Sequence, residues 1–257
     1  MCAANNRPLA IITGGSRGLG FETAKALALQ GFDLALIAKD SVRLTEAAET
    51  IRAHAASGSQ SPAPHISTFV CDLEDPHLVR ELIDSITQSL STPQLLVLAH
   101  GVMSEKMSKT LKTNDAEWRR VMAINLDSVF QLVNGIAPAM ADARNGRVII
   151  FSACLGRMSG PGNAGGLAPY RISKAGVNAL VRNLAHETGL GARGFLVDAI
   201  CPNHSRTDMG GPDAPRSAEE GAATAIWLAT REFNSSGTTD AEKVTGVLWE
   251  DHQIVPW

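Results

Sequence analysis

Leu9-Ala-Ile-Ile-Thr13 runs into Gly14-Gly15-Ser16-Arg17-Gly18-Leu19-Gly20 and then into Phe21-Glu-Thr-Ala-Lys-Ala-Leu-Ala-Leu-Gln30. The first five residues read as a buried parallel strand. The last ten carry helical periodicity. Glycines between them let the backbone turn sharply and approach a pyrophosphate. A helix starting there offers unpaired N–H groups and a positive dipole end to phosphates. Strand, glycine turn and helix therefore form the opening of a dinucleotide-binding fold. The alternative is a glycine-rich turn with no ligand. Gly14, Gly18 and Gly20 are spaced G-x-x-x-G-x-G, not G-x-G-x-x-G.

Similar alternation continues outward from this unit. Apolar runs at 9–13, 33–38, 66–71, 95–99, 147–152, 196–201 and 244–248 read as strands. Helical patterns occupy 18–30, 41–55, 76–90, 115–141, 169–188 and 217–230. This predicts an α/β fold: a single doubly wound parallel sheet, Rossmann-type, with helices on both faces. Its 257 residues suit one domain, 1–257, with ligands beyond the carboxyl ends of the strands. Ser217 and Glu220 read as a capping box. Residues 53–64 read as a polar surface loop.

Composition narrows the function classes. A net charge of −3 and no basic stripe argue against nucleic acid. No apolar run reaches the roughly 20 residues that span a bilayer. The first eight residues are too polar for a signal peptide, so a cytoplasmic protein is expected. Cys2, Cys71, Cys154 and Cys201 show neither close pairing nor metal spacing, which predicts free thiols and no metal site. The seven histidines are scattered without H-E-x-x-H.

Tyr170 and Lys174 lie four residues apart in a helical stretch, which puts phenol and ammonium on one face. A free phenol has a pKa of about 10. Bringing it to about 7 takes roughly 4 kcal/mol of differential stabilisation. A lysine together with a second cation, such as an oxidised nicotinamide, could supply that. The pair reads as a general acid/base beside a redox cofactor. A solvated helix face is the alternative.

Together the two motifs resemble the short-chain dehydrogenase/reductase family, and more closely its carbonyl-reductase-like members. Thr13-Gly14-x-x-x-Gly18-x-Gly20, Cys71-Asp72-Leu73, Asn125-Leu126, Tyr170-x-x-x-Lys174 and Pro202 through Thr207-Asp208-Met209 carry the resemblance, in order, over nearly the whole chain. It implies an oxidoreductase transferring hydride between nicotinamide and a carbonyl/alcohol, or imine/amine, of a small organic molecule such as a secondary metabolite. Tyr170, Lys174, Asn125 and a serine would be catalytic, with Asn125 breaking its helix and holding a water that links Lys174 to solvent. Thr13, Gly14, Ser16, Arg17, Gly18, Leu19, Gly20, Lys39, Asp72, Leu73, Gly101, Tyr170, Lys174, Pro202 and Thr207 would contact the cofactor. Asp72 would bond the adenine, or else cap a helix. The resemblance also implies a homodimer or homotetramer through 115–141 and 169–188, although relatives with an insertion before the tyrosine include monomers.

Cofactor choice follows from charge. The position after the second strand faces the adenosine ribose, and here it is Lys39, followed by Asp40. Lys39 and Arg17 favour NADP(H), whose 2′-phosphate they can pair. Asp40 keeps NAD(H) as the lesser alternative.

Three departures from the family pattern cluster at the expected site. Phe151-Ser152-Ala153-Cys154-Leu155-Gly156 places Ala153 where the serine belongs, leaving Ser152, or Ser159, as candidate donor. The fourth strand ends Leu98-Ala99-His100-Gly101 where the family has Asn-Asn-Ala-Gly. Pro202-Asn203-His204 replaces Pro-Gly. His100, His204 and Met209 are candidate substrate contacts, and loops 155–168 and 203–216 are expected to shape the pocket. Met209 also reads as a packing residue. A cyclase or isomerase with a structural cofactor, and a non-catalytic NADP(H) sensor, remain as alternatives.

Overall fold

A computed structural model describes residues 7–57, 63–105, 108–162 and 164–257. Its strands are β1 (Leu9–Thr13), β2 (Asp33–Ala38), β3 (Ile66–Val70), β4 (Leu95–Leu98), β5 (Gly146–Phe151), β6 (Phe195–Ile200), β7 (Leu248–Glu250) and β8 (Gln253–Val255). They form one sheet in the order β3-β2-β1-β4-β5-β6-β7-β8. Pairing is parallel throughout except at the β7–β8 edge, which is antiparallel. Strand order reverses between β1 and β4. That switch point opens a crevice at the carboxyl ends, where ligands bind in doubly wound sheets.

Alternation along the strands supplies two cores. Leu9 and Ile11 face one side, with Leu82 and Ile86 of α3 (Pro76–Ser89), Leu132 and Ile136 of α5 (Ser128–Asp142) and Val177 of α6 (Ala168–Glu187). Ala10 and Ile12 face the other. There they join Leu27 of α1 (Gly18–Leu29), Leu44 and Ile51 of α2 (Ser41–Ser57) and Leu228 of α7 (Ala218–Thr230). Residues buried on both sides of the sheet explain why these strands read as continuous apolar runs. The capping box at Ser217 and Glu220 is present at the start of α7.

Three expectations need correction. The strand expected over 244–248 begins only at Leu248, and β8 follows it in the opposite direction. Gly246 adopts φ +80°, which interrupts an extended chain, and Thr245 is drawn off to bond Val197 and Asp198. The single helix expected over 115–141 is α4 (Asp115–Met122), a π-helical segment (Ala123–Asp127) and α5. The surface loop expected from 53 is helical through Ser57, where α2 ends; residues 58–62 lie outside the described residues, as does Cys2.

A buried ion pair fastens β6, β7 and α7 together. Asp198 lies 3.2 Å from Arg231, with both side chains almost fully buried. Thr245 Oγ1, the Gly246 N–H and Trp249 Nε1 also donate to the Asp198 carboxylate. The Arg231 guanidinium donates to the carbonyls of Ala241 and Val244 and lies against the ring of Trp249. Removing one member leaves a buried charge unpaired. Asp198→Ala is expected to cost about 3–5 kcal/mol in a urea unfolding experiment, far more than an exposed pair such as Arg119–Asp115 would on truncation.

Candidate active site

The glycine loop is shaped for close approach. A Cβ on Gly20 would sit 2.4 Å from the Gly14 carbonyl oxygen, so α1 can begin against the loop only with glycine there. Gly14 has φ +67°, and a Cβ on it would press on Ala99 and His100 at the end of β4. Helices α3, α4 and α7 each begin with a side chain accepting an early N–H, from Asp75, Asn114 and Ser217. At α1 no side chain caps the N-terminus. Its free amide donors and dipole suit a pyrophosphate.

Thr13 and His100 are joined beneath that loop. Thr13 Oγ1 accepts the Ala99 N–H at 3.1 Å and lies 2.6 Å from His100 Nδ1. His100 Nε2 bonds Ser128 Oγ at 2.9 Å. Thr13 and Ser128 are fully buried, so both ring nitrogens face inward. The ring thereby links β1, the end of β4 and α5. Burial, and then the charge of Lys174, hold the imidazole down to about 3. His100 is therefore a neutral brace between Thr13 and Ser128. Thr13 contributes its hydroxyl to this brace.

One turn of chemistry lies on α6. Lys174 is buried, and its Nζ donates to the Phe151 carbonyl at 2.7 Å. Burial pushes its ammonium down to about 8. A Cβ on Gly101 would come within 3.4 Å of Lys174 Nζ and 3.3 Å of Asn125 Oδ1, so Gly101 leaves room for both. Asn125 lies in the π segment, where the resemblance implied a break in the helix. Its amide accepts from the Val102 N–H and donates to the Val102 carbonyl and to Ser173 Oγ. The side chain thus ties the strand-end loop to α6.

Tyr170 sits in the first turn of α6. That helix begins after Leu167 in a left-handed conformation, φ 53°. Its early N–H groups are satisfied by the loop after β4: Ser104 Oγ accepts from Tyr170 N and the Ser108 carbonyl from Ala168 N. The phenol is buried, which pushes its pKa well above the ordinary tyrosine value, and Cys154 and Cys201 add to the rise. The protein's own groups therefore do not lower the phenol as expected. Burial outweighs the nearby Lys174 ammonium, whose Nζ rests on the Phe151 carbonyl.

A cavity of about 380 Å³ opens beside Tyr170. Ser152, Ala153, Cys154, Cys201, Pro202, His204, Thr207 and Met209 are among its walls, so the site brings together strand ends, the turn after β5 and the 203–216 loop. A cavity of about 410 Å³ lies at the opposite, amino ends of the strands, where Arg147 donates to the Leu228 and Arg231 carbonyls. That arginine closes the end of α7, and the cavity lies away from Tyr170.

The residue-by-residue likeness extends to whole chains. A family description for short chain dehydrogenase matches residues 8–217. The chain belongs to the short-chain dehydrogenase family. Its relatives include a 3-oxoacyl-[acyl-carrier-protein] reductase, FabG, of Pseudomonas aeruginosa, 31% identical over 212 residues, covering 82% of this chain and 79% of that one. The corresponding FabG of Staphylococcus epidermidis is 31% identical over 201 residues, 78% of this chain and 76% of that one. Among solved structures, a levodione reductase superposes with a TM-score of 0.76 at 25% identity, covering 95% of each chain. A carveol dehydrogenase from Mycobacterium avium in complex with NAD shares the fold, with a TM-score of 0.78 at 23% identity and 95% coverage of each chain.

Against the short-chain dehydrogenase pattern, Ser152 is not free. Its hydroxyl donates to Asn178 Oδ1 at 2.5 Å and lies 3.3 Å from the Lys174 carbonyl. The side chain is spent on α6, one residue out of step with the position Ala153 holds. Ser159 donates to the Trp257 carbonyl. His204 and Met209 do lie on the cavity, with His204 Nε2 bonded to the Gly210 carbonyl at 2.8 Å. Lys39 pairs with Asp72, whose other oxygen accepts the Glu74 N–H. The cap of α3 is Asp75, not Asp72. Leu73 is buried. Arg17 pairs with Asp208, and Arg43 also approaches that carboxylate. Thr207 Oγ1 accepts the Gly210 N–H, and its methyl lies against Gly18. Arg43, Asn178 and the two cavity thiols were missed. Only spacing in the fold brings them near, and no local pattern marks them.

The His100 brace has a pH signature. An unfolded histidine titrates near pH 6.5, whereas the folded ring stays neutral down to about 3. The unfolded chain binds the extra proton first as pH falls, so this contribution is complete above about 6.5 and is lost progressively toward 3. His100→Ala is expected to flatten the acid limb of a stability-versus-pH curve. It should also cost about 1–3 kcal/mol at neutral pH, because the Thr13 and Ser128 hydroxyls lose their partner.

Proposed function

We propose that the chain is an NADP(H)-dependent oxidoreductase that moves hydride between nicotinamide and a carbonyl or alcohol of a small organic molecule, with Tyr170 as general acid/base. The carrying observation is the juxtaposition of Tyr170, buried Lys174 and Asn125 at one end of a cleft whose other end is the uncapped glycine loop. When bound, the nicotinamide supplies or accepts the hydride. Tyr170 gives its proton to the carbonyl oxygen in reduction and takes it back in oxidation. Lys174 keeps a positive charge near the reacting end, and Asn125 holds the loop at Val102 in place. Pro202 and Thr207 wall the cleft next to the cavity. With the Ser152 hydroxyl bonded to Asn178, Tyr170 carries the polar work on the substrate oxygen.

NADP(H) is favoured by what the acids are doing. The Asp40 carboxylate accepts the Val42 and Arg43 N–H groups at the start of α2, and Asp72 holds Lys39. The exposed ammonium of Lys39 and guanidinium of Arg17 sit on carboxylates, Asp72 and Asp208, which a 2′-phosphate would replace as their partner. Trp118, Phe130 and Ile172 expose apolar side chains on α4, α5 and α6, which supports assembly as a homodimer or homotetramer through those helices. No helix among the described residues is long and apolar enough to cross a membrane. The three described cysteines are free, which supports a reducing, cytoplasmic setting.

Two substitutions separate the parts of this reading. Tyr170→Phe should lower carbonyl reduction, followed as loss of NADPH absorbance, by about 10²–10⁴-fold while leaving NADPH binding nearly intact. Retained turnover would reject the assignment. Lys39→Asp should shift the ratio of kcat/KM for NADPH over NADH by about tenfold or more toward NADH, as loss of a charge-assisted pair requires.

A further inference from the structure

The cavity beside Tyr170 contains a pair of thiols with no place in the chemistry above. Phe151 on β5 is level with Ile200 on β6. Cys201 follows Ile200 directly, and Cys154 begins the turn that carries the chain out of β5. Adjacent parallel strands are about 4.8 Å apart, so Ser152 stands level with Cys201 and Cys154 follows two residues on, in the turn. Both thiols line the cavity, and each perturbs the ionisation of the other. Both also act on the Tyr170 phenol. The turn is held in place: a Cβ on Gly156 would strike the Lys174 backbone at 2.7 Å, so the turn lies directly on α6.

We propose that Cys154 and Cys201 form an oxidisable dithiol in the wall of the cleft, which a low-molecular-weight disulfide converts into a cross-link that suppresses turnover. Cys154 is the attacking member, since it is part-exposed while Cys201 is buried. Interaction with Cys201 pulls the Cys154 thiol below the ordinary cysteine value and holds Cys201 above it, so Cys154 is the more acidic of the two. Cys71 is the internal contrast: it is buried away from the cavity, and burial pushes its thiol up to about 11.

The Cys154 thiolate attacks one sulfur of the small disulfide and expels the other half as a thiolate. Cys201 loses its proton to solvent and attacks Cys154 Sγ, expelling the second half. The protein pair is oxidised by two electrons and the small disulfide is reduced to two thiols. The new bond ties the turn after β5 to the start of the Pro202 segment, beside the phenol. The effect on turnover rests on the proposed function; the cross-link itself does not.

The test treats the folded full-length protein with glutathione disulfide, maps cysteines by mass spectrometry and follows turnover. A Cys154–Cys201 cross-linked peptide should form, Cys71 should stay free, and carbonyl reduction should fall by about tenfold or more, recovering with dithiothreitol. Cys201→Ala should instead trap glutathione on Cys154, and Cys154→Ala should leave Cys201 unmodified. Oxidant should leave each variant without a cross-link. Reaction confined to Cys2 or Cys71, or a cross-link that leaves turnover unchanged, would overturn the proposal. If the reduced protein turns over no carbonyl, the functional reading fails, and the thiol map alone decides the dithiol.

Discussion

A buried ammonium organises this site. Lys174 is 4% exposed, so the protein must replace the water it has lost. The Phe151 carbonyl does so at 2.7 Å, which requires β5 to end there and its peptide to point at α6. The turn after β5 must then lie flat on that helix, which Gly156 permits. On the other side, Gly101 leaves the space that Lys174 and Asn125 occupy. Strand ends, turn and helix are fixed around one charge, and Tyr170, one turn earlier on α6, is positioned as a consequence.

The loop after β4 is held by a different device. The strand ends in Leu98 and Ala99, which offer no polar side chain, and the fastening falls to His100. Its neutral ring spans Thr13 and Ser128 and joins β1, β4 and α5. Asn125 continues the fastening through Val102 to Ser173 on α6. The π-helical segment makes this reach available, because its wider turn brings Asn125 round to face the loop. These bonds tie the loop after β4 to β1, α5 and α6.

The sequence was most legible where a local rule decides the outcome. Strands buried on both faces show as apolar runs, and β1 and β2 were readable to the residue. Gly14, Gly18 and Gly20 announce the turn between β1 and α1, and Ser217 with Glu220 announces a helix. The edge at β7 and β8 was not legible, because the strand starts where the Asp198 network releases the chain, a tertiary event. The bracing role of His100 was not legible because its two partners lie 87 and 28 positions away. Ser152 looked like a donor until Asn178 appeared opposite it. Cys154 and Cys201 showed no pairing by spacing, yet both line one cavity where the neighbouring strands β5 and β6 end.

The proposed chemistry reduces to one equilibrium: a desolvated phenol, high in the protein alone, must become acidic when a cationic nicotinamide is bound. Tyr170 is the chain's single tyrosine, so its ionisation can be followed by phenolate absorbance without interference from another. The decisive measurement is that titration with and without saturating NADP⁺. We expect a midpoint above the free-tyrosine value of about 10 in the protein alone, and a shift of several units toward neutrality with NADP⁺. A midpoint that stays equally high in both would contradict Tyr170 as the group that carries the proton.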